Sequence, residues 1–240
     1  MMLPLRQRYR DVLQRSNLDG PGAAATLPQI LTLACVEVLP VAGAGLSLTG
    51  ELRVPLSASN VAAAEAERLQ VSLGDGPCLE AAAGARPVAV DADRLGRRWP
   101  VYAHELRRRT PFRSVASLPL TWPTGRAFAA LDLYSTDPSG PFDDLAEVQA
   151  ALVPATTAVL LEQRDWLLGP AEQPEHDPAA GRRMAVWSAV GMLMVAADAT
   201  YDDALALLRS YAFSCDLDLD TAARLLLQHT VTTDDVLTPP

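Results

Sequence analysis

The sequence contains no lysine: all 20 of its basic residues are arginine. It has three cysteines, three histidines, 5% aromatic residues and no apolar run near the ~20 residues of a membrane span. Each scarcity excludes something. Cys35, Cys78 and Cys215 are odd in number and far apart, without the paired spacing that a zinc site or a disulfide framework needs. His104, His176 and His229 have no ligand or triad partner at a recognisable spacing, which argues against a metal site and against an enzyme. Gly74-Asp75-Gly76 is followed by proline and by no lysine, so it is not a phosphate-binding loop. The N-terminus turns polar within a few residues and lacks the apolar centre of a signal peptide. The expectation is a cytoplasmic chain with reduced thiols, no membrane association and no cofactor.

Positive charge is also short. Against 29 acidic residues the net charge is −9, which on average repels nucleic acid, so any RNA contact has to be a local patch. What is plentiful is apolar sequence, 49% of the chain, enough for a packed core. At 240 residues the chain is longer than one compact domain usually needs, and two are expected.

Taken in order, Arg6–Gln14 reads as a short helix ended by the polar loop Ser16–Gly22. Leu27, Ile30, Leu31, Ala34, Cys35 and Val38 then form a helical stripe that Pro40 stops. Ala42–Leu48 and Leu52–Leu56 alternate as a hairpin around Thr49-Gly50-Glu51. A helix rich in good formers follows through Ala62–Leu69, and Pro77 starts another after a glycine-bearing loop. Pro87–Val90 is a strand, Arg98-Trp99-Pro100 opens a helix to Arg107, and Val115–Leu120 and Ala127–Tyr134 are strands joined at Trp122–Gly125. Phe142–Leu168 is the longest helical pattern, with Pro154 expected to kink it. Its stripe Leu145, Val148, Leu152, Ala155, Val159, Leu160 is the expected seam of a homodimer. Gly169–Gly181 is proline-rich and polar, a semi-stiff linker.

Arg182–Gln228 reads as three short helices that must pack together to persist in water. Met184, Trp187, Val190 and Met194 mark the apolar face of the first. Ala204, Leu207, Leu208 and Tyr211 mark the second, and Ala222, Leu225 and Leu226 the third. Thr200 with Asp203 has the form of a capping box, and Asp218 or Asp220 can cap the third helix. Gly191 inside the first helix points to close helix–helix approach.

Two resemblances bear on function. The run Ala189-Val190-Gly191-Met192-Leu193-Met194, with Ala204 to Leu208-Arg209 and Leu219 before Ala222-Ala223, resembles the ANTAR family of RNA-binding transcription antiterminators. The resemblance implies a dimeric three-helix unit that binds hairpins in nascent RNA. The loop Leu73-Gly74-Asp75-Gly76-Pro77-Cys78-Leu79-Glu80-Ala81, the Arg98-Trp99-Pro100 step and the strands at Ser114–Leu120 and Leu131–Ser135 resemble the GAF domains attached to such units. Together they imply an α+β fold: a GAF-like antiparallel sheet flanked by helices over residues 1–168, a linker at 169–181, a three-helix ANTAR-like domain at 182–230 and a tail at 231–240.

The candidate RNA-binding residues are then Arg182, Arg183, Arg209 and Arg224 for phosphate, with Trp187 and Tyr211 for stacking on unpaired bases or, alternatively, for the core. The candidate small-molecule pocket is lined by Cys78, Trp99, Ser117 and Phe128. Cys78 reads either as a partly ionised thiol at a helix start or as a small buried apolar group. Arg107–Arg109, with Arg113, is either an anion site or a charged helix end. The ANTAR-like run departs from its family in carrying Val195-Ala196 and Asp216-Leu217-Asp218-Leu219 where basic residues are common. Over Met184–Gln228 two arginines face six aspartates, a local balance of −4. The leading expectation is a sensor-controlled, RNA-hairpin-binding antitermination regulator. The alternative is a sensing or protein-interaction module whose helical unit has lost RNA binding.

Overall fold

The computed structural model describes residues 3–16, 23–50, 52–140, 142, 144–162 and 178–238, and at 23–26 and 178–183 the backbone alone. The chain separates into two compact units, Met1–Gln70 with Asp75–Pro170, and Val71–Gly74 with Ala171–Pro240.

In the first unit the elements are α1 (Leu5–Arg15), α2 (Ala23–Val38), β1 (Gly43–Leu48), β2 (Val54–Ala58), α3 (Val61–Leu73) and α4 (Pro77–Gly84). They continue with β3 (Val88–Val90), α5 (Ala92–Arg98), α6 (Pro100–Arg109), β4 (Ser114–Thr121), β5 (Ala127–Ser135) and α7 (Leu145–Glu162). The strands make one antiparallel sheet in the order β2-β1-β5-β4-β3, as the α+β reading expects. Expected boundaries fall within a few residues of these, except that α5 went unforeseen. Asp91 caps it by accepting from Arg94 N at 2.7 Å.

Alternation divides the sheet between two different interiors. On one face the rows Leu46–Leu131–Leu118 and Ala44–Leu133–Ala116 are apolar and pack with α1, α2 and α7 into the main core. There the Tyr9 hydroxyl of α1 meets Thr156 of α7 at 2.9 Å. Of the stripe expected to form a dimer seam, Val148, Leu152 and Leu160 are buried in this chain's own core, and Leu145, Ala155 and Val159 are partly buried against it. By length and composition α7 is apolar enough to cross a membrane. It runs through Pro154 without a break, with that residue on its exposed side.

On the opposite face the cross-strand rows are Gly45–Asp132–Ser117–Val88 and Gly43–Tyr134–Val115–Val90. Two glycines, an aspartate and a serine at consecutive positions make poor core and signal a specialised interior.

The second unit holds α8 (Pro178–Ala197), α9 (Tyr201–Ser214), α10 (Leu219–Leu227) and α11 (Thr233–Leu237). The expected linker ended at Gly181, but helix begins at Pro178, since proline is well suited to a first helical position. Its other residues, 169–177, lie outside the described residues. The expected tail contains α11 instead. Thr232 and Asp235 form a complete capping box there, and Val236 is fully buried. Thr200 caps α9 and Asp218, not Asp220, caps α10.

The face of α8 differs from expectation. Val186, Ala189, Val190 and Leu193 are buried, whereas Met184 and Trp187 are 51% and 43% exposed. Both sets repeat at helical spacing, and the smaller side chains win because α9 and α10 both pack on this helix. A Cβ added at Gly191 would meet nothing within 4 Å, so no close helix crossing explains this glycine.

Candidate functional site

The sheet face that carries Asp132 holds a closed polar cluster. α3 begins it: capped by Asn60, whose Oδ1 accepts from Ala63 N at 2.9 Å, this helix buries Ala63, Ala66, Glu67 and Gln70 along one stripe. Two alanines bring the helix close to the sheet, and the two polar residues that follow are carried into the interior. Gly45 makes this possible, because a Cβ there would fall on the Glu67 carboxylate. Gly43 leaves room likewise for Phe112, whose Cζ would lie 2.7 Å from such a Cβ and whose ring stacks on Tyr134 at 4.9 Å.

Arg53, just ahead of β2, sits at the centre with 3% exposure. Its Nη2 donates to Glu67 Oε2 at 2.5 Å and to Asp132 Oδ2 at 2.8 Å, its Nη1 to the Glu67 carbonyl at 2.9 Å, and its Nε to Cys78 Sγ at 3.0 Å. Glu67 also accepts from the Ser47 hydroxyl, and from the Tyr134 hydroxyl at 2.6 Å. Gln70 Nε2 donates to Asp132 Oδ2 at 3.0 Å and to the Tyr134 hydroxyl at 3.2 Å, while its carbonyl oxygen accepts from Cys78 N at 2.9 Å. One guanidinium thus serves two carboxylates, and all three are fully desolvated.

The electrostatics follow. Burial pushes the Glu67 carboxyl up to about 7; Arg53 opposes the rise, Asp132 adds to it, and the Ser47 and Tyr134 hydrogen bonds lower it. Burial also pushes the Cys78 thiol well up, against the pull of Arg53, so it stays a neutral thiol. That supports the small-buried-group reading of Cys78 over the ionised one.

Two polar atoms on this side of the sheet close no hydrogen bond, Asp132 Oδ1 and Ser117 Oγ, and the Tyr102 hydroxyl of α6 lies beside that of Tyr134. Ser117 and Asp132 are direct cross-strand partners. Burial raises the Tyr102 hydroxyl well above its ordinary value, and Asp132 and Glu67 raise it further, which places it in their field.

The structure brings Cys78 and Ser117 of the expected pocket residues to the cluster's side of the sheet. Trp99, buried between α5 and α6, carries the Arg98 guanidinium 5.2 Å from its ring. Phe128 belongs to the opposite interior, where it packs on Trp122 at 4.7 Å. Arg107, Arg108 and Arg109 form the basic last turn of α6, as the charged-helix-end reading expects; Arg108 and Arg109 pair with Glu105, and Arg109 reaches Glu65 on α3. The sequence reading missed Arg53, Glu67, Gln70 and Asp132. The signal at hand was an aspartate in an otherwise apolar strand, Ala127–Tyr134. Among the described residues no group of three His, Cys, Asp or Glu side chains could hold a metal ion.

Of the candidate RNA contacts, Trp187 and Arg224 are exposed, Tyr211 is buried at 7% and Arg209 is half-buried. Burial lowers the Arg209 guanidinium, with Tyr201 and Asp202 opposing that effect. The side chains of Arg182 and Arg183 lie outside the described residues.

No family model matches the chain, and no curated protein matches it. Solved structures do. The GAF domain of an Acinetobacter phosphoenolpyruvate-protein phosphotransferase aligns with a TM-score of 0.50 at 13% identity, over 70% of this chain and 99% of that one. The corresponding domain from Coxiella burnetii gives a TM-score of 0.47 at 14% identity over 66% and 92%. A free methionine-R-sulfoxide reductase from Neisseria meningitidis, in complex with its substrate, gives 0.47 at 18% identity over 69% and 93%. The antiparallel sheet of the first unit, with its flanking helices, has the GAF fold.

Proposed function

We propose that this chain is a cytoplasmic two-domain regulator, in which the GAF-fold unit is a small-molecule sensor and the helical unit is its effector. The reading involves no chemical step. On the surface of the second unit, the observation that carries most weight is its charge. Among described side chains the exposed aspartates are 198, 202, 203, 216, 234 and 235, while Arg224 is the sole exposed arginine. Each phosphate contacted requires a cation to displace counterions, and among the described side chains this surface offers one fully exposed arginine against six aspartates. Met184, Trp187, Val195 and Phe213, by contrast, are 43–86% exposed. The stretch Met184–Ala197 carries no charge at all, so two copies can meet along it without the repulsion their net charge otherwise creates. The effector therefore works through protein contact, with a second copy of the chain across α8.

The antitermination reading, drawn from the ANTAR-like run, keeps one observation in its favour: Trp187 is exposed and able to stack on an unpaired base. A single experiment separates the two. Purified protein is titrated into a pool of structured RNA hairpins across a salt series, beside duplex DNA, while sedimentation velocity follows its mass. A dimer that Trp187→Gln weakens, with no hairpin-selective binding at low salt, is the expected result. Hairpin binding that falls with salt would restore the antiterminator.

A further inference from the structure

The cluster on the polar face of the sheet is out of balance in both charge and hydrogen bonds, and both imbalances point the same way. Arg53 contributes one positive charge against the two negative charges of Glu67 and Asp132, all three fully buried. An uncompensated charge there costs several kcal/mol. The hydrogen bonds are equally lopsided. Every donor group of Arg53 is engaged and Asp132 Oδ2 accepts from both Arg53 and Gln70, but Asp132 Oδ1 accepts nothing. Across the strand pair Ser117 Oγ has no partner, and the Tyr102 hydroxyl of α6 lies beside that of Tyr134. The missing charge is positive, Asp132 Oδ1 lacks a donor, and the two hydroxyl oxygens can accept from one as well.

We infer that the signal this sensor takes is a small monocation with N–H donors, of which the ammonium ion is the smallest, held by Asp132 Oδ1, Ser117 Oγ and the Tyr102 hydroxyl. The inference rests on the sensor reading above and names its ligand class. An ammonium group offers donors and no acceptor, which complements one carboxylate oxygen and two hydroxyl oxygens. A nucleotide or other anion would face two carboxylates whose only counter-charge is already used. A buried water would satisfy the hydrogen bonds but leave the charge unmatched. The competing neutraliser is a proton on Glu67, whose charged and titratable surroundings are Arg53, Asp132, Tyr134, Tyr102 and Cys78. Cation and proton therefore exclude each other, and the cation binds more tightly as pH rises through about 7 and releases a proton as it binds.

The test uses the full chain in thermal unfolding and calorimetric titration, with ammonium chloride against sodium chloride at equal ionic strength. Methylammonium, tetramethylammonium and a panel of anionic nucleotides complete the set. Ammonium is expected to raise the unfolding temperature saturably, with tetramethylammonium, which has no N–H, giving nothing. Ser117→Ala removes only a partnerless hydroxyl and should fold normally while losing about tenfold in affinity, the equivalent of one hydrogen bond. Asp132→Asn should abolish the effect. Identical behaviour in ammonium and sodium, or an unchanged Ser117→Ala protein, overturns the inference. A saturable shift from a nucleotide instead would overturn the cation class and leave the sensor reading standing; a flat response to the whole panel would remove both.

Discussion

At the scale of single residues the molecule is dominated by an arginine and two carboxylates buried together. Glu67 sets the pH response. Its carboxyl sits near 7 in the folded chain, above the ~4.3 of an unfolded glutamate, so the native state binds the extra proton between those values. Its contribution to stability is therefore greatest below the unfolded value and is lost as pH rises through the folded one, by on the order of 3 kcal/mol in total. Urea denaturation from about pH 5 to pH 8 should show this decline, and Glu67→Gln should flatten it; parallel slopes for the two proteins would contradict the assignment. Arg53→Met should be worse than any loss of packing. Removing the shared cation leaves two buried carboxylates and costs roughly 3–5 kcal/mol, part of which Glu67→Gln with Asp132→Asn should restore. Asp132 is legible in the sequence as one charge in an apolar strand. Arg53 is not, since it follows a hairpin turn where an arginine is ordinarily in water.

At the scale of elements, spacing and caps did most of the work. The stripes of α2 and α7, the proline starts of α4 and α6 and the caps by Thr200 and Asp218 can all be read from residue order. Close approach cannot be read so directly. Gly45 is needed because α3 brings Glu67 onto β1, so Gly45→Ala should force the cluster apart and lower the unfolding temperature by several degrees, whereas alanine at Gly191 should not lower it. Calorimetry on the two variants compares a glycine required by packing with one that is not. The face of α8 shows the limit of periodicity. Met184, Trp187 and Met194 repeat as regularly as Val186, Ala189 and Leu193, and only the positions of α9 and α10 choose between them.

At the scale of the whole molecule, the surface of the helical unit is what the acidic composition leads one to expect. Asp216→Asn with Asp218→Asn tests how far that acidity decides function. Asparagine tolerates the left-handed backbone that Asp216 adopts (φ 55°), and its side-chain oxygen can replace the capping oxygen of Asp218. The helical unit should therefore fold as before with two fewer negative charges. Circular dichroism should be unchanged. A gain of hairpin binding in filter or fluorescence titration would mark the unit as an RNA-binding surface that acidic residues have silenced, and no gain would leave protein contact as its role.

By itself the sequence determined the class of the fold, the alternation of its strands, most element boundaries and the poverty of basic charge, because these depend on neighbours a few residues apart. The tertiary structure decided which residues share an interior. Arg53, Glu67, Cys78 and Asp132 are separated by up to 79 positions and meet only because β5 lies between β1 and β4 while α3 and α4 cover that face. Phe128, of the same parity along β5 as Asp132, lies beside a register shift and joins the other interior. Local pattern carries the period of a segment; only the order of strands and the packing of helices on them says which two faces touch.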